Sequence, residues 1–299
     1  NIFGFSVFDF FSAARGDGGA GGGVYVNNGT FNMNGDAVVS GNESSGQGGG
    51  VYIAGNTAFT MSGNSVIKDN ESKSYGGGVS ISGGSFTMSE NAKITYNAGQ
   101  AGGGVYIAGN TVFTMSGGSI DHNTATNGGG VCVLGTVTLG GEAKITDNVI
   151  GGAIAGGELT GGTANNVFLL NNKYITLGTG TGEGGNGVAA PVTTGDNKMS
   201  IGVTMQTAGQ FTTAGSGAKA AKGCFTSDSN DYVVRYNNKG TTEVMTDDYL
   251  ELVRSYVITN NTTEKDKDTN GGFIAIDQTS ALKDDTITVT VTPNVGYKL

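Results

Sequence analysis

Gly102-Gly-Gly-Val-Tyr-Ile-Ala-Gly-Asn-Thr-Val-Phe-Thr-Met-Ser-Gly-Gly-Ser-Ile-Asp-His-Asn123 decides the fold. Its apolar residues fall in three short blocks, Val105-Tyr-Ile107, Phe113-Thr-Met115 and Ile120, parted by Gly, Ser and Asn. Alternation is the period of a strand, and the glycine-broken gaps leave no run with the three- and four-residue spacing of a helix. The same three blocks recur on both sides of this stretch. A Gly-Gly-Gly-Val unit sets its valine at Val24, Val51, Val79, Val105 and Val131, at spacings of 27, 28, 26 and 26 residues. The second block is led by Phe31, Phe59, Phe86, Phe113 and Val137, then Met33, Met61, Met88, Met115 and Leu139. The third reads Val39-Ser-Gly-Asn42, Ile67-Lys-Asp-Asn70, Ile94-Thr-Tyr-Asn97, Ile120-Asp-His-Asn123 and Ile145-Thr-Asp-Asn148.

Strands of so few residues cannot bury an apolar face alone, so successive periods must stack in parallel, with strands about 4.8 Å apart. Three strands per period predict a three-sided coil, and the chain reads as an all-β parallel β-helix with the valine, phenylalanine and isoleucine columns inside. Glycines permit the backbone turns at the corners. The column Asn42, Asn70, Asn97, Asn123 and Asn148 is predicted to be a structural ladder, each amide bonding its neighbours along the axis.

With these residues in view, the pattern GGGVY-I, F-T-M-S-G and I-x-x-N resembles the right-handed β-helix repeats of secreted and surface proteins of gut and oral bacteria. It is similar in style to the repeats of chlamydial polymorphic membrane proteins, although the residues differ. The resemblance covers residues 20–148 and implies a right-handed solenoid at the bacterial surface or outside the cell; for ligand or activity it implies little. Residues 1–19, with Phe3, Phe5, Phe8, Phe10 and Phe11, are expected to cap the first coil. Past Asn148 the period breaks, and residues 149–250 are expected to form irregular terminal coils and loops. Residues 251–299 end in Thr286-Ile-Thr-Val-Thr-Val-Thr-Pro-Asn-Val-Gly-Tyr-Lys-Leu299, which resembles internalin-type B repeats of bacterial surface proteins. That likeness implies a small β module, expected to be incomplete and part of a longer polypeptide.

Composition narrows the function classes. Glycine is 56 of 299 residues but proline only 2, which excludes collagen, and 36% apolar residues exceed what a disordered tract contains. A net charge of −9 with 16 basic residues gives no patch able to displace counterions from nucleic acid. No apolar run reaches the roughly 18 to 20 residues of a spanning helix, so no membrane insertion is expected within this region.

Chemistry is sparse. Cys132 and Cys224 cannot make a disulfide framework, and the sequence leaves open whether they pair. No metal-site motif is present, and neither metal nor cofactor is predicted. The one histidine, His122, stacks in a corner column with Gly41, Asp69, Tyr96 and Asp147, which makes His122 beside Asp147 the one acid-base pair to weigh; Asp121 is expected to face another way because strand residues alternate. Asp69 and Asp147 fall three coils apart, about 14 Å at strand spacing, too far for a glycosidase pair. Arg15-Gly16-Asp17 resembles an integrin-recognition triplet and is read as a turn.

Two outward columns remain. Tyr25, Tyr52, Ser80, Tyr106 and Cys132 lie between inward residues of the first strand, and Asn32, Thr60, Thr87, Thr114 and Thr138 between those of the second. Both suit a pleated surface. Tyr25, Tyr52 and Tyr106 are the candidate binding residues, with Ser80 expected to leave a gap of two strand spacings in the row. The leading expectation is adhesion to, or binding of, a glycan or protein on a host or microbial surface, or display on a stalk. A carbohydrate-active enzyme and a purely structural spacer are the competing classes.

Overall fold

A computed structural model describes residues 19–180, 186–215, 217–239, 247–257, 273–276, 280–282, 285 and 287–292. The chain divides into two compact units, one of residues 1–229 and 234–252, the other of residues 230–233 and 253–299. The first unit is a parallel β-solenoid. Its first sheet runs through the strands that contain Val24, Val51, Val79, Val105, Val131, Val167 and Val203, paired in that order. The second sheet runs through Phe31, Phe59, Phe86, Phe113, Val137 and Ile175, and the third through Val39, Ile67, Ile94, Ile120, Ile145, Ile201 and Phe225. The five coils read from the repeat therefore continue into two more.

Register places like on like. Phe59, Phe86 and Phe113 are at most 1% exposed, and successive rings from Phe31 stack at 5.0, 4.5 and 4.9 Å between centroids. Each such side chain contributes about 1.5 to 3 kcal/mol by leaving water. Ile67, Ile94, Ile120 and Ile145 are wholly buried along the third sheet.

The glycine triplet has three separate causes, seen in the coil of Gly76. Gly76 has φ +68°, which L side chains rarely adopt. A Cβ on Gly77 would overlap the carbonyl oxygens of Ala98 and Gly103 in the next coil. A Cβ on Gly78 would crowd the Gly104 carbonyl and the Asn97 amide.

That amide belongs to the predicted ladder. Nδ2 of Asn42 donates to Oδ1 of Asn70 at 2.8 Å, and the chain of bonds continues through Asn97, Asn123 and Asn148 at 2.9, 3.0 and 2.9 Å. Each backbone N–H in the column donates to the same Oδ1 as its side chain does. The ladder runs further than the repeat. Asn148 donates to Asn166 at 3.0 Å, and Asn166 donates from Nδ2 at 2.6 Å and from its backbone at 2.7 Å to the carboxylate of Asp228. Along the series each Oδ1 accepts from the coil before it, while the amides also donate back to carbonyls of the preceding coil, so a carboxylate, rich in acceptors, fits the end of the column.

A fourth, short ladder was not legible in the three blocks. Glu43–Ser44 pairs with Glu71–Ser72, then come bridges to Ala98 and Thr124, and Thr124–Ala125 pairs with Val149–Ile150. At this corner the fifth coil expands into an antiparallel hairpin, Ala153–Ala155 with Glu158–Thr160. In the same unit the short helix Ala218–Ala221 buries Ala218 and Ala221, and the buried Leu250 accepts the N–H of Phe211. In the second unit Ser255, Tyr256 and Val257 pair antiparallel with Leu282, Ala281 and Ser280, and Phe273–Ile276 pairs antiparallel with Val289–Thr292. The expected aromatic cap of residues 1–11, the Arg15-Gly16-Asp17 triplet and the final Gly-Tyr-Lys-Leu lie outside the described residues.

Candidate functional site

The first sheet positions the candidate tyrosines in register, Tyr25 opposite Tyr52, Tyr52 opposite Ser80 and Ser80 opposite Tyr106. Tyr25 is 54% exposed, and Tyr52 and Tyr106 are half-buried. Tyr25 and Tyr52 stack with centroids 5.4 Å apart and 14° between planes. Tyr106 has a different partner. Tyr75, the residue before a glycine triplet, lays its ring on Tyr106 at 4.6 Å and 13°.

The expected gap at Ser80 thus separates two stacked pairs. Ser80 is fully buried, and its hydroxyl donates at 3.1 Å to Oε1 of Gln47, which also accepts from Ser82 at 3.2 Å. Gln47 and Tyr75 hold equivalent places one coil apart, each immediately before a triplet. Aligning those places alone would have exposed Tyr75 as a candidate, but alternation along the strands does not reach a corner residue. Burial raises the Tyr106 hydroxyl pKa, with smaller contributions from Cys132 and Tyr75. Cys132, in the same outward column, is buried and its thiol is pushed up to about 12 by that burial. It is no nucleophile at neutral pH. Cys132 and Cys224 are both free thiols.

The second sheet carries the threonine column as expected, Thr60, Thr87, Thr114 and Thr138 half-buried and in register, and Thr176 extends it by one coil.

The third sheet corrects one expectation. Asp121 does not face away from His122; its Oδ1 lies 2.9 Å from His122 Nδ1. Alternation fails here because His122 is in the left-handed region at φ +53°, as are Asp69, Tyr96 and Asp147 in its column. The turn brings consecutive side chains to one side. His122 stacks on Tyr96 at 5.0 Å, and Thr95 donates to Asp121 at 2.6 Å. Burial pushes the Asp121 carboxyl up, but the hydrogen bonds from Thr95 and His122 outweigh it and hold it below its ordinary value. Asp147 instead accepts from Thr146 at 2.9 Å, and Asp69 pairs with Lys68. His122 and Asp147 are thus not each other's side-chain partners.

Among the described residues no group of three or more His, Cys, Asp and Glu side chains could hold a metal ion, and no helix is long and apolar enough to cross a membrane. Compared with protein-family models, with curated proteins and with solved structures, the chain matches none.

Proposed function

We propose that this chain is a bacterial cell-surface or secreted β-helix protein that acts in adhesion, binding a glycan or protein of host or microbial surfaces while the solenoid displays the site. The observation that carries the proposal is the tyrosine face, Tyr25, Tyr52, Tyr75 and Tyr106 fixed by mutual stacking on a parallel sheet. Aromatic side chains already held in one conformation offer contact area and a hydroxyl at little entropic cost. The resemblance of the repeats and of the C-terminal stretch to bacterial surface proteins supports the location.

The test is Tyr52→Ala combined with Tyr106→Ala, screened against glycans, matrix proteins and cells. Binding is expected to weaken by about 1 kcal/mol or more per ring, with an unchanged melting temperature. Binding that survives this change but disappears on substitutions within residues 150–299 would place the site there.

One observation favours a second reading, catalysis. An ionised Asp121 on Nδ1 fixes the tautomer of His122 and leaves Nε2 to take up a proton. Polysaccharide turnover by the wild type that vanishes in His122→Ala would establish an enzyme. The expected result is no turnover in either protein, because Asp147, the carboxylate of the next coil, is bonded to Thr146 and not to the pair.

A further inference from the structure

We infer that the tyrosine face takes a neutral glycan, held by a row of hydrogen-bonding groups and not by stacking on ring faces; this rests on the binding function proposed above. Charge is the first ground. No outward residue of the first-sheet strands, and no residue immediately before a glycine triplet, is charged. The third sheet and its corner carry Lys68, Asp69, Lys93, Asp121, Lys144 and Asp147, and at the fourth ladder Glu43 and Glu71 stand with Lys73, whose ammonium is already paired with Glu71. A carboxylated or sulfated ligand brought onto the first sheet would lose water without gaining a counter-charge. A neutral one would not meet that cost.

Ring orientation is the second ground. Within 14° of parallel and about 5 Å apart, each paired ring spends one face on its partner, which halves the ring-face area left for stacking on a sugar. Gln47 is the third. Its Oε1 is held by the hydroxyls of Ser80 and Ser82, which fixes the carboxamide and leaves its NH2 as a preset donor between the two tyrosine pairs. One amide thus stands between phenol pairs carried on coils whose strands lie roughly 4.8 Å apart. A sugar chain offers what such a row needs, uncharged hydroxyls that both donate and accept, repeated along an extended polymer.

The experiment uses the full chain on a surface carrying neutral hexose oligosaccharides, uronic-acid and sulfated oligosaccharides, and matrix proteins side by side. Wild type is expected to bind the neutral oligosaccharides, equally well in about 1 M salt, where ionic attraction is screened. Tyr52→Phe and Gln47→Ala should each weaken that binding roughly three- to tenfold, with Thr60→Ala as the unaffected control. Binding confined to charged oligosaccharides or to a protein, yet still lost in Tyr52→Ala, overturns the neutral-glycan inference and leaves the face as the binding site. Tyr52→Phe that binds like wild type while Tyr52→Ala fails overturns the hydroxyl row. Insensitivity to every variant overturns the face itself and this inference with it, and no binding to any probe overturns the inference.

Discussion

Between Val24 and Asn148 a coil takes 26 to 28 residues, whereas the next first-sheet strands, paired through Val131 with Val167 and Val203, are 36 residues apart each. The inward columns do not notice. Val167, Leu169, Ile175, Ile201 and Val203 are as fully buried as their counterparts in the regular coils. The extra residues leave at the corners, as the hairpin of Ala153–Ala155 and Glu158–Thr160 and as the segment between Leu177 and Ser200. Even the corner rule relaxes. Ser200–Met205 is one strand that serves the third sheet with Ser200 and Ile201 and the first sheet with Val203 to Met205, with no glycine triplet between. What the fold needs is the stacked column, because each coil is stabilised by its nearest neighbours and a longer loop adds little entropy cost.

The sharpest way to break this equivalence is to charge the column in both regions. Ile94→Asp and Ile201→Asp each bury a carboxylate with no partner, at several kcal/mol. Both should unfold the array by circular dichroism, while Ile154→Asp on the half-buried hairpin should stay within about 0.5 kcal/mol of wild type. A folded Ile201→Asp would mean that the sixth coil is only appended.

The regular coils were legible because Val-x-Ile, Phe-x-Met and Ile-x-x-Asn report burial directly. Val167-Phe-Leu169 and Ile201-Gly-Val203 follow the same alternation, but insertions at the corners hide their register from a fixed period. The side-chain sites were less legible for a different reason. Tyr75 and His122 sit at corners, where left-handed backbone or a turn redirects the side chain and alternation ceases to predict facing. Asn166 holds its ladder place only 18 residues after Asn148, and Asp228 follows it 62 residues later. No period links them.

The ladder sharpens the comparison at a smaller energy. Asn97→Ala, in the regular coils, would leave the buried backbone N–H of Asn70 without its acceptor, break the amide bonds of the column on both sides, and leave Oδ1 of Asn123 with only the backbone N–H of residue 97. Buried groups left so cost about 1 to 3 kcal/mol each. A loss of roughly 2 to 4 kcal/mol by denaturant unfolding is expected, and Asn166→Ala should cost a similar amount if the irregular coils depend on the ladder equally. A much smaller loss at Asn166 would show that the column ends, energetically, where the repeat does.

The smallest effect separates the two ends of that column through pH. At its C-terminal end Asp228 is subject to opposed influences. Burial raises its pKa above 3.8, and the donors from Asn166 and Thr204 pull it down without cancelling the rise. A carboxyl whose folded pKa is raised binds its proton more tightly in the folded chain than in the unfolded one. Its contribution to stability is then fully present below the unfolded pKa and is lost as pH rises through the folded pKa. Asp228→Asn keeps an acceptor oxygen toward Asn166 and removes the titration. Since the other carboxyls are common to both proteins, the melting temperature of wild type minus that of Asp228→Asn should increase as pH falls from neutrality toward about 4. A difference that stays flat would show that the converging donors offset burial completely. A difference that shrinks on acidification would show that they outweigh it, making the carboxylate of Asp228 the form that terminates the ladder best.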